Sequence, residues 1–195
     1  GGLAAFRDRS LRQSTLNVVV GERMAERLRT FGVSPTQIAV VPNWSDDEDI
    51  MPLPRESNPL RRDWGLTDKF VVGYSGNMGR AHDFQTVLSA SERLRDHPTV
   101  VFLLIGGGHR LDELMHEVKA RNLEHLYRFE PYQDRSNLKH SLNVPDVHWI
   151  SLRPELEGLI VPSKFFAAAA AGRPVIAIGA KRSEEHTSEL QSPYV

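Results

Sequence analysis

Residues 100–105 read Val100-Val101-Phe102-Leu103-Leu104-Ile105, six apolar side chains in succession. A strand that is apolar at every position must be covered on both faces, which is the condition of a central strand in a helix-sheathed parallel sheet. The same kind of run recurs at Phe70-Val71-Val72-Gly73-Tyr74, Leu126-Tyr127-Arg128-Phe129, Val147-His148-Trp149-Ile150 and Pro174-Val175-Ile176-Ala177-Ile178. Helical periodicity separates the runs: Asp83 to Arg95, Leu111 to Arg121, Ser136 to Leu142, and an alanine-rich segment from Ser163 to Ala171 that Gly172 ends. Alternation of this kind predicts a doubly wound α/β domain with a parallel sheet. Two further strands, Leu16–Val20 and Ile38–Val41, flank a helix over Gly21–Phe31. The acidic stretch Asn43 to Asp49 and the closely spaced Pro52, Pro54 and Pro59 mark residues 42–66 as a linker between the two parts.

Composition narrows the chemistry. With 24 basic against 25 acidic side chains, the 195-residue chain has no charge excess of the kind a nucleic-acid partner requires. It contains no cysteine, so thiolate metal sites, disulfides and thiol nucleophiles are excluded. The eight histidines show no metal-ligand spacing, and most read as surface residues. No apolar run reaches the roughly 20 residues that span a bilayer. The first residue is Gly1 rather than methionine, and no signal-peptide layout follows, as expected for a piece of a longer chain. Residues 182–192, Arg-Ser-Glu-Glu-His-Thr-Ser-Glu-Leu-Gln-Ser, resemble the in-frame translation of a sequencing-library adapter. Residues 182–195 are therefore set aside as a non-native tail.

In a doubly wound sheet, ligands sit at the carboxyl ends of the strands. Three loops there carry candidate chemistry. Ser75-Gly76-Asn77-Met78-Gly79-Arg80-Ala81-His82-Asp83 follows the first strand of the domain. Gly76 and Gly79 allow close backbone approach, Arg80 and His82 add donors, and the helix near Asp83 offers unpaired N–H groups to a phosphate. A strand–helix turn needing glycine only for its geometry has the same sequence. Gly106-Gly107-Gly108 follows the second strand. A dinucleotide fold wants G-x-G-x-x-G in the first loop and an acid ending the second strand. The observed spacing, Gly73, Gly76 and Gly79, and the glycine end of the second strand disfavour nicotinamide chemistry. The third loop runs from Ser151 through Glu157 and Gly158 to Ser163 and Lys164. Ser163 suits an N-cap, and a lysine in the first helical turn opposes the dipole unless an anion is present. A solvated loop acid and a solvated surface lysine fit Glu157 and Lys164 as well. Trp149 reads as core, and Trp44 and Trp64 as linker packing.

Taken in order, Val41-Pro42-Asn43-Trp44, Tyr74-Ser75-Gly76-Asn77-Met78-Gly79, Glu157-Gly158-Leu159 with Pro162-Ser163-Lys164, and Ala170-Ala171-Gly172-Arg173-Pro174-Val175-Ile176-Ala177 resemble a family-4 retaining glycosyltransferase of the GT-B fold, of the group that makes O-antigen and colanic-acid-type polysaccharide in bacteria. The likeness covers residues 14–181. It implies that residues 1–41 end an acceptor-side Rossmann-like domain. Residues 67–181 would then be a truncated, Rossmann-like nucleotide-sugar domain. The donor diphosphate would meet Gly76, Asn77, Gly79 and Arg80. Gly106, Gly107 and Gly108 would line the nucleotide site, and Phe129, Glu130, Pro131 and Tyr132 would lie near the base. Glu157, Gly158, Leu159 and Ile160 would face the sugar and phosphates, with Ser163 and Lys164 beyond them. Glu157, Lys164 and Arg80 are the implied catalytic groups, with no metal and no cofactor beyond the nucleotide-sugar substrate.

Three positions depart from the family pattern. Many members carry arginine and lysine where Asn77 and His82 stand, and a ribose-binding glutamate where Ala167 stands. A lipid-linked glycan acceptor at the inner face of the membrane follows from the same resemblance, with the enzyme otherwise cytoplasmic. A nucleotide-sugar epimerase of the same fold, or a nucleotide-binding remnant without activity, would share these residues.

Overall fold

The structure, a computed structural model, describes residues 2–42, 50–156, 160 and 163–179. These residues fall into two compact units: residues 2–42 with 153–156, 160 and 179, and residues 50–152 with 163–178. Of the sequence-predicted features, Asn43, Trp44, Glu157, Gly158, Leu159, Pro162 and the tail 182–195 lie outside the described residues.

The first unit carries α1 (Gly2–Gln13), β1 (Asn17–Val19), α2 (Glu22–Thr30) and β2 (Ile38–Val40). β1 and β2 pair in parallel, with Asn17 opposite Ile38. Val19, Ala25, Leu28 and Val33 form its core. The Asn17 amide is buried between elements and donates to the carbonyls of Leu11 and Gln37 at 3.1 and 3.2 Å. Helix α1 has no counterpart in the sequence reading, and its residues explain why: none is buried, and Leu3 and Phe6 face solvent. Without an apolar stripe there is no periodicity to read.

The second unit holds α3 (Pro59–Asp63), β3 (Phe70–Asn77), α4 (Gln85–Arg93), β4 (Val100–Gly107), α5 (Leu111–Ala120), β5 (Tyr127–Glu130), α6 (Leu138–Leu142), β6 (Val147–Ser151), α7 (Lys164–Ala170) and β7 (Val175–Ile178). Its five strands are all parallel, in the order β5-β4-β3-β6-β7. The run at residues 100–105 divides as a pleated strand must. Phe102 and Leu104 join Tyr74, Phe84, Leu88, Leu114, Val118 and Trp149 in one core. Val101, Leu103 and Ile105 join Leu66, Val71 and Val144 in the other, against which Leu60 and Trp64 pack. Helices α4 and α5 thus cover one face, and α3 with the segment before β6 covers the opposite one. The predicted doubly wound parallel sheet is the observed fold.

Residues 50–66, expected as linker, are built into this second unit. Ile50 is buried against Leu142 and Ala171. The Leu53 N–H donates to Asn143 Oδ1 at 2.9 Å, and Asn58 donates to the His140 carbonyl at 2.8 Å while capping α3 at the Leu60 N–H. Arg61, 1% exposed, donates to the Val144, Leu66 and Lys69 carbonyls and pairs with Asp146. A proline-punctuated polar stretch therefore packs by satisfying its polar groups rather than by apolar periodicity.

Candidate functional site

The strand order reverses direction between β3 and β6, because the chain winds outward through β4 and β5 and then returns to β6 and β7. A crevice opens at the carboxyl ends on either side of such a reversal. Here it forms a cavity of about 280 Å³, bounded by Ser75 and Gly76 of β3, the β6 residues His148 to Ile150, Tyr132, Leu138, Ser141 and the start of α7. Of the sequence-predicted residues, Gly76, Tyr132, Ser163 and Lys164 line it. Ala167, where the family pattern has glutamate, lines it too.

The glycines at the strand tips do specific work. Gly76, Gly106 and Gly108 have φ of +122°, +129° and +128°, a region closed to other residues. A Cβ at Gly106 would stand 2.5 Å from the Gly76 carbonyl oxygen, and one at Gly108 2.5 Å from Met78 N. The tips of β3 and β4 are therefore laid backbone on backbone, joined by the Met78 N–H to Gly107 carbonyl bond at 2.7 Å and the Arg110 N–H to Met78 carbonyl bond at 3.1 Å. The Tyr132 ring lies over Gly106 and Gly107, where a Cβ would meet it at 3.1 Å, and the residue is exposed. Gly79 has ordinary φ, and a Cβ there would meet only Asn77 Nδ2 at an ordinary 3.7 Å, so its geometry does not require glycine.

The charge in the cavity comes from α7. The stem of Lys164 crosses Gly76, whose Cβ would lie 2.8 Å from Lys164 Cε. The ammonium reaches 3.3 Å from His82 Nε2 and sits 5.4 Å from the centre of the Tyr74 ring. It makes no ion pair among the described residues. Burial lowers the Lys164 pKa from its ordinary value. His82 is 8% exposed, against the surface position expected for most histidines. Burial first, and then the charges of Lys164 and Arg110, push its pKa below the usual imidazole range, so the ring is neutral at pH 7.

Other expected contributors take different places. The start of α4, read as a phosphate site, is already served by its own acid: Asp83 Oδ1 accepts from the Gln85 N–H at 3.1 Å, and the Asp83 N–H donates to Ser151 Oγ at 3.0 Å. An anion there would meet a carboxylate. Arg80, Asn77 and Pro131 are exposed and outside the cavity lining. Phe129 stacks on Tyr127 at 5.9 Å and packs on the core. Ser163 occupies the N-cap position of α7, but its side chain makes no cap bond. Ile160 belongs to the first unit and is exposed. His148 is buried, with Nε2 donating to the Leu142 carbonyl at 2.9 Å. No cluster of three or more His, Asp or Glu suited to a metal ion occurs among the described residues. None of the described helices is long and apolar enough to cross a membrane.

Comparison with known proteins sets this geometry in a family. The pattern described as "Glycosyl transferases group 1" matches residues 56–186. WbjE of Pseudomonas aeruginosa, named as a probable glycosyltransferase, is 29% identical over 170 residues, covering 86% of this chain and 41% of that protein. WcaI of Escherichia coli K12, named for colanic acid biosynthesis as a glycosyl transferase, is 28% identical over 176 residues, covering 87% of this chain and 42% of its own length. The chain thus spans about two-fifths of these curated relatives. Among solved structures, Anabaena HepE in complex with UDP-glucose superposes with a TM-score of 0.73 at 19% identity, over 96% of this chain and 50% of HepE. Sucrose-phosphate synthase of Thermosynechococcus elongatus superposes with a TM-score of 0.72 at 18% identity, over 92% of this chain and 45% of the synthase. The fold is that of GT-B glycosyltransferases, and by the match over 56–186 the chain belongs to the group 1 glycosyl transferases.

Proposed function

We propose that this chain supplies the donor side of a glycosyltransferase that moves a sugar from a nucleoside-diphosphate donor to an acceptor hydroxyl, with retention, in the assembly of a bacterial surface polysaccharide. One observation carries the reading: Lys164 lines the cavity at the strand reversal, with its stem across Gly76 and its ammonium beside His82, and without a carboxylate partner among the described residues. A partly buried cation without a counter-ion is stabilised by an anionic ligand. As the bond from the sugar to the diphosphate breaks, negative charge grows on the leaving group, and a preorganised ammonium stabilises that charge more than it stabilises the bound donor. Arg80, exposed on the loop after β3, would add a second cation, and the exposed Tyr132 ring suits a nucleobase. Glu157 would orient sugar hydroxyls, and the amides of Gly158, Leu159 and Ile160 would meet the β-phosphate. The name of WcaI and the UDP-glucose bound to HepE are consistent with this substrate class.

Charge neutralisation by lysine and backbone amides needs no divalent ion, so transfer should persist in chelator. In a chain extended to the length of its relatives, Lys164→Ala should lower turnover more than tenfold while the fold is kept. Release of nucleoside diphosphate should require an acceptor. Isomerisation of the donor without an acceptor would instead indicate epimerase chemistry, and unchanged turnover in Lys164→Ala would remove the lysine from the reaction.

A further inference from the structure

His82 is the group whose placement the diphosphate reading does not use. It lies 82 positions from Lys164 in sequence, yet its ring bridges β6 and α7. Nδ1 stands 2.7 Å from the Ser151 carbonyl oxygen. A carbonyl only accepts, so Nδ1 carries the hydrogen. Nε2 stands 3.3 Å from the Lys164 ammonium, which only donates, so Nε2 presents its lone pair. Both neighbours select the same neutral tautomer. The surroundings keep it neutral. Lys164 faces the ring from α7, and the Tyr74 ring meets it edge-on at 5.6 Å from β3. Arg110, at the start of α5, donates to the His82 carbonyl at 2.6 Å. Asp83, the adjacent acid, is engaged at the Gln85 N–H. A lysine side chain otherwise samples many rotamers and loses that freedom when it is fixed.

We propose that His82 is a positioning residue: its Nε2 lone pair holds the Lys164 ammonium over the Gly76 tip of β3, ready for the donor diphosphate. The role rests on the donor-site reading above, and it acts through Lys164 rather than on the ligand.

Two measurements on the 195-residue chain decide it. In the first, imidazole nitrogen shifts are followed against pH by NMR in the wild type and in Lys164→Met. His82 should hold one neutral tautomer, hydrogen on Nδ1, with a midpoint below that of free histidine that rises when Lys164 is removed. An Nε2–H tautomer, or a midpoint indifferent to Lys164→Met, overturns the proposal. This arm needs no His82 variant, so it stands even if such a variant fails to fold. In the second, UDP binding is measured by calorimetry in His82→Phe, Lys164→Met and the double variant. Each single change should weaken UDP by about tenfold, and the double change should be no weaker than Lys164→Met, because a hydrogen bond to a charged group is lost once only. Additive losses would place His82 on the ligand itself and overturn positioning. UDP binding unaffected by His82→Phe overturns the role of His82 alone. A wild type that shows the histidine–lysine pair and yet ignores UDP overturns the donor reading, and this role with it.

Discussion

The second unit should be most sensitive to loss of a carboxylate far from the cavity. Asp146 precedes β6, at the end of the sheet opposite the site. Its Oδ1 accepts from Arg61 Nη1 at 3.1 Å and its Oδ2 from Arg61 Nη2 at 3.2 Å and from the Val71 N–H at 2.7 Å. The side chains of Arg61 and Asp146 are 1% and 14% exposed, so water cannot replace either partner cheaply. Burial lowers the Arg61 pKa despite the nearby carboxylate, which marks desolvation as the larger effect. Removing one partner of such a pair leaves a buried charge uncompensated and costs about 3–5 kcal/mol. At roughly 2–4 °C per kcal/mol for a chain of this size, Asp146→Ala should lower Tm by roughly 6–20 °C. Urea denaturation followed by circular dichroism, on Asp146→Ala, Arg61→Met and the double variant, measures both the loss and the coupling. The double variant should be less destabilised than the sum of the singles by about 1–3 kcal/mol. A loss below about 1 kcal/mol in Asp146→Ala, the range of an exposed pair, or strict additivity of the two changes, would refute the reasoning.

Further outcomes follow from the same structure. His82 and His148 are buried with lowered pKa values, so the unfolded chain binds protons that the folded chain does not as pH falls below the ordinary histidine value of 6.5. Stability should therefore be full above that value and fall below it, by up to about 1.4 kcal/mol per pH unit for each ring; urea midpoints that are equal at pH 7.5 and 5.5 would contradict this. Gly108→Ala combines a φ of +128° with a Cβ 2.5 Å from Met78 N, so it should cost about 1–3 kcal/mol or more and disturb the β3 tip. Gly79→Ala, with its Cβ 3.7 Å from the nearest atom, should change the melting temperature little; equal effects of the two would show that the tips are not packed as described.

The sheet was legible because burial on two faces writes itself as an unbroken apolar run, as at 100–105, and because the helices carry apolar stripes. The cavity was legible in outline, since doubly wound sheets bind at strand ends and Gly76 and Gly106 to Gly108 mark two of them. What sequence could not give were contacts between polar side chains distant in the chain. Arg61 reads as a surface residue of a linker until Asp146, 85 positions later, is folded against it. His82 reads as a loop donor until Ser151 and Lys164 arrive from β6 and α7. Phe129 stands at a strand end in sequence, but alternation along β5 turns it toward Tyr127. Asp83 looks like the opening of an anion site, whereas its carboxylate accepts from the Gln85 N–H at the start of α4 and closes that site to another negative charge. The sole cue was the residue type, since an Asp side chain commonly accepts from the N–H two residues on.

The central claim is that the cation beside Gly76 receives a nucleoside diphosphate. Titration calorimetry of the 195-residue chain with UDP and GDP, repeated on Lys164→Ala, addresses it directly. Saturable binding of at least one of them, weakened about tenfold or more by the substitution as expected for one charge-assisted contact, is the predicted result. Binding that is indifferent to Lys164, or no heat from either diphosphate with a folded chain, would contradict it.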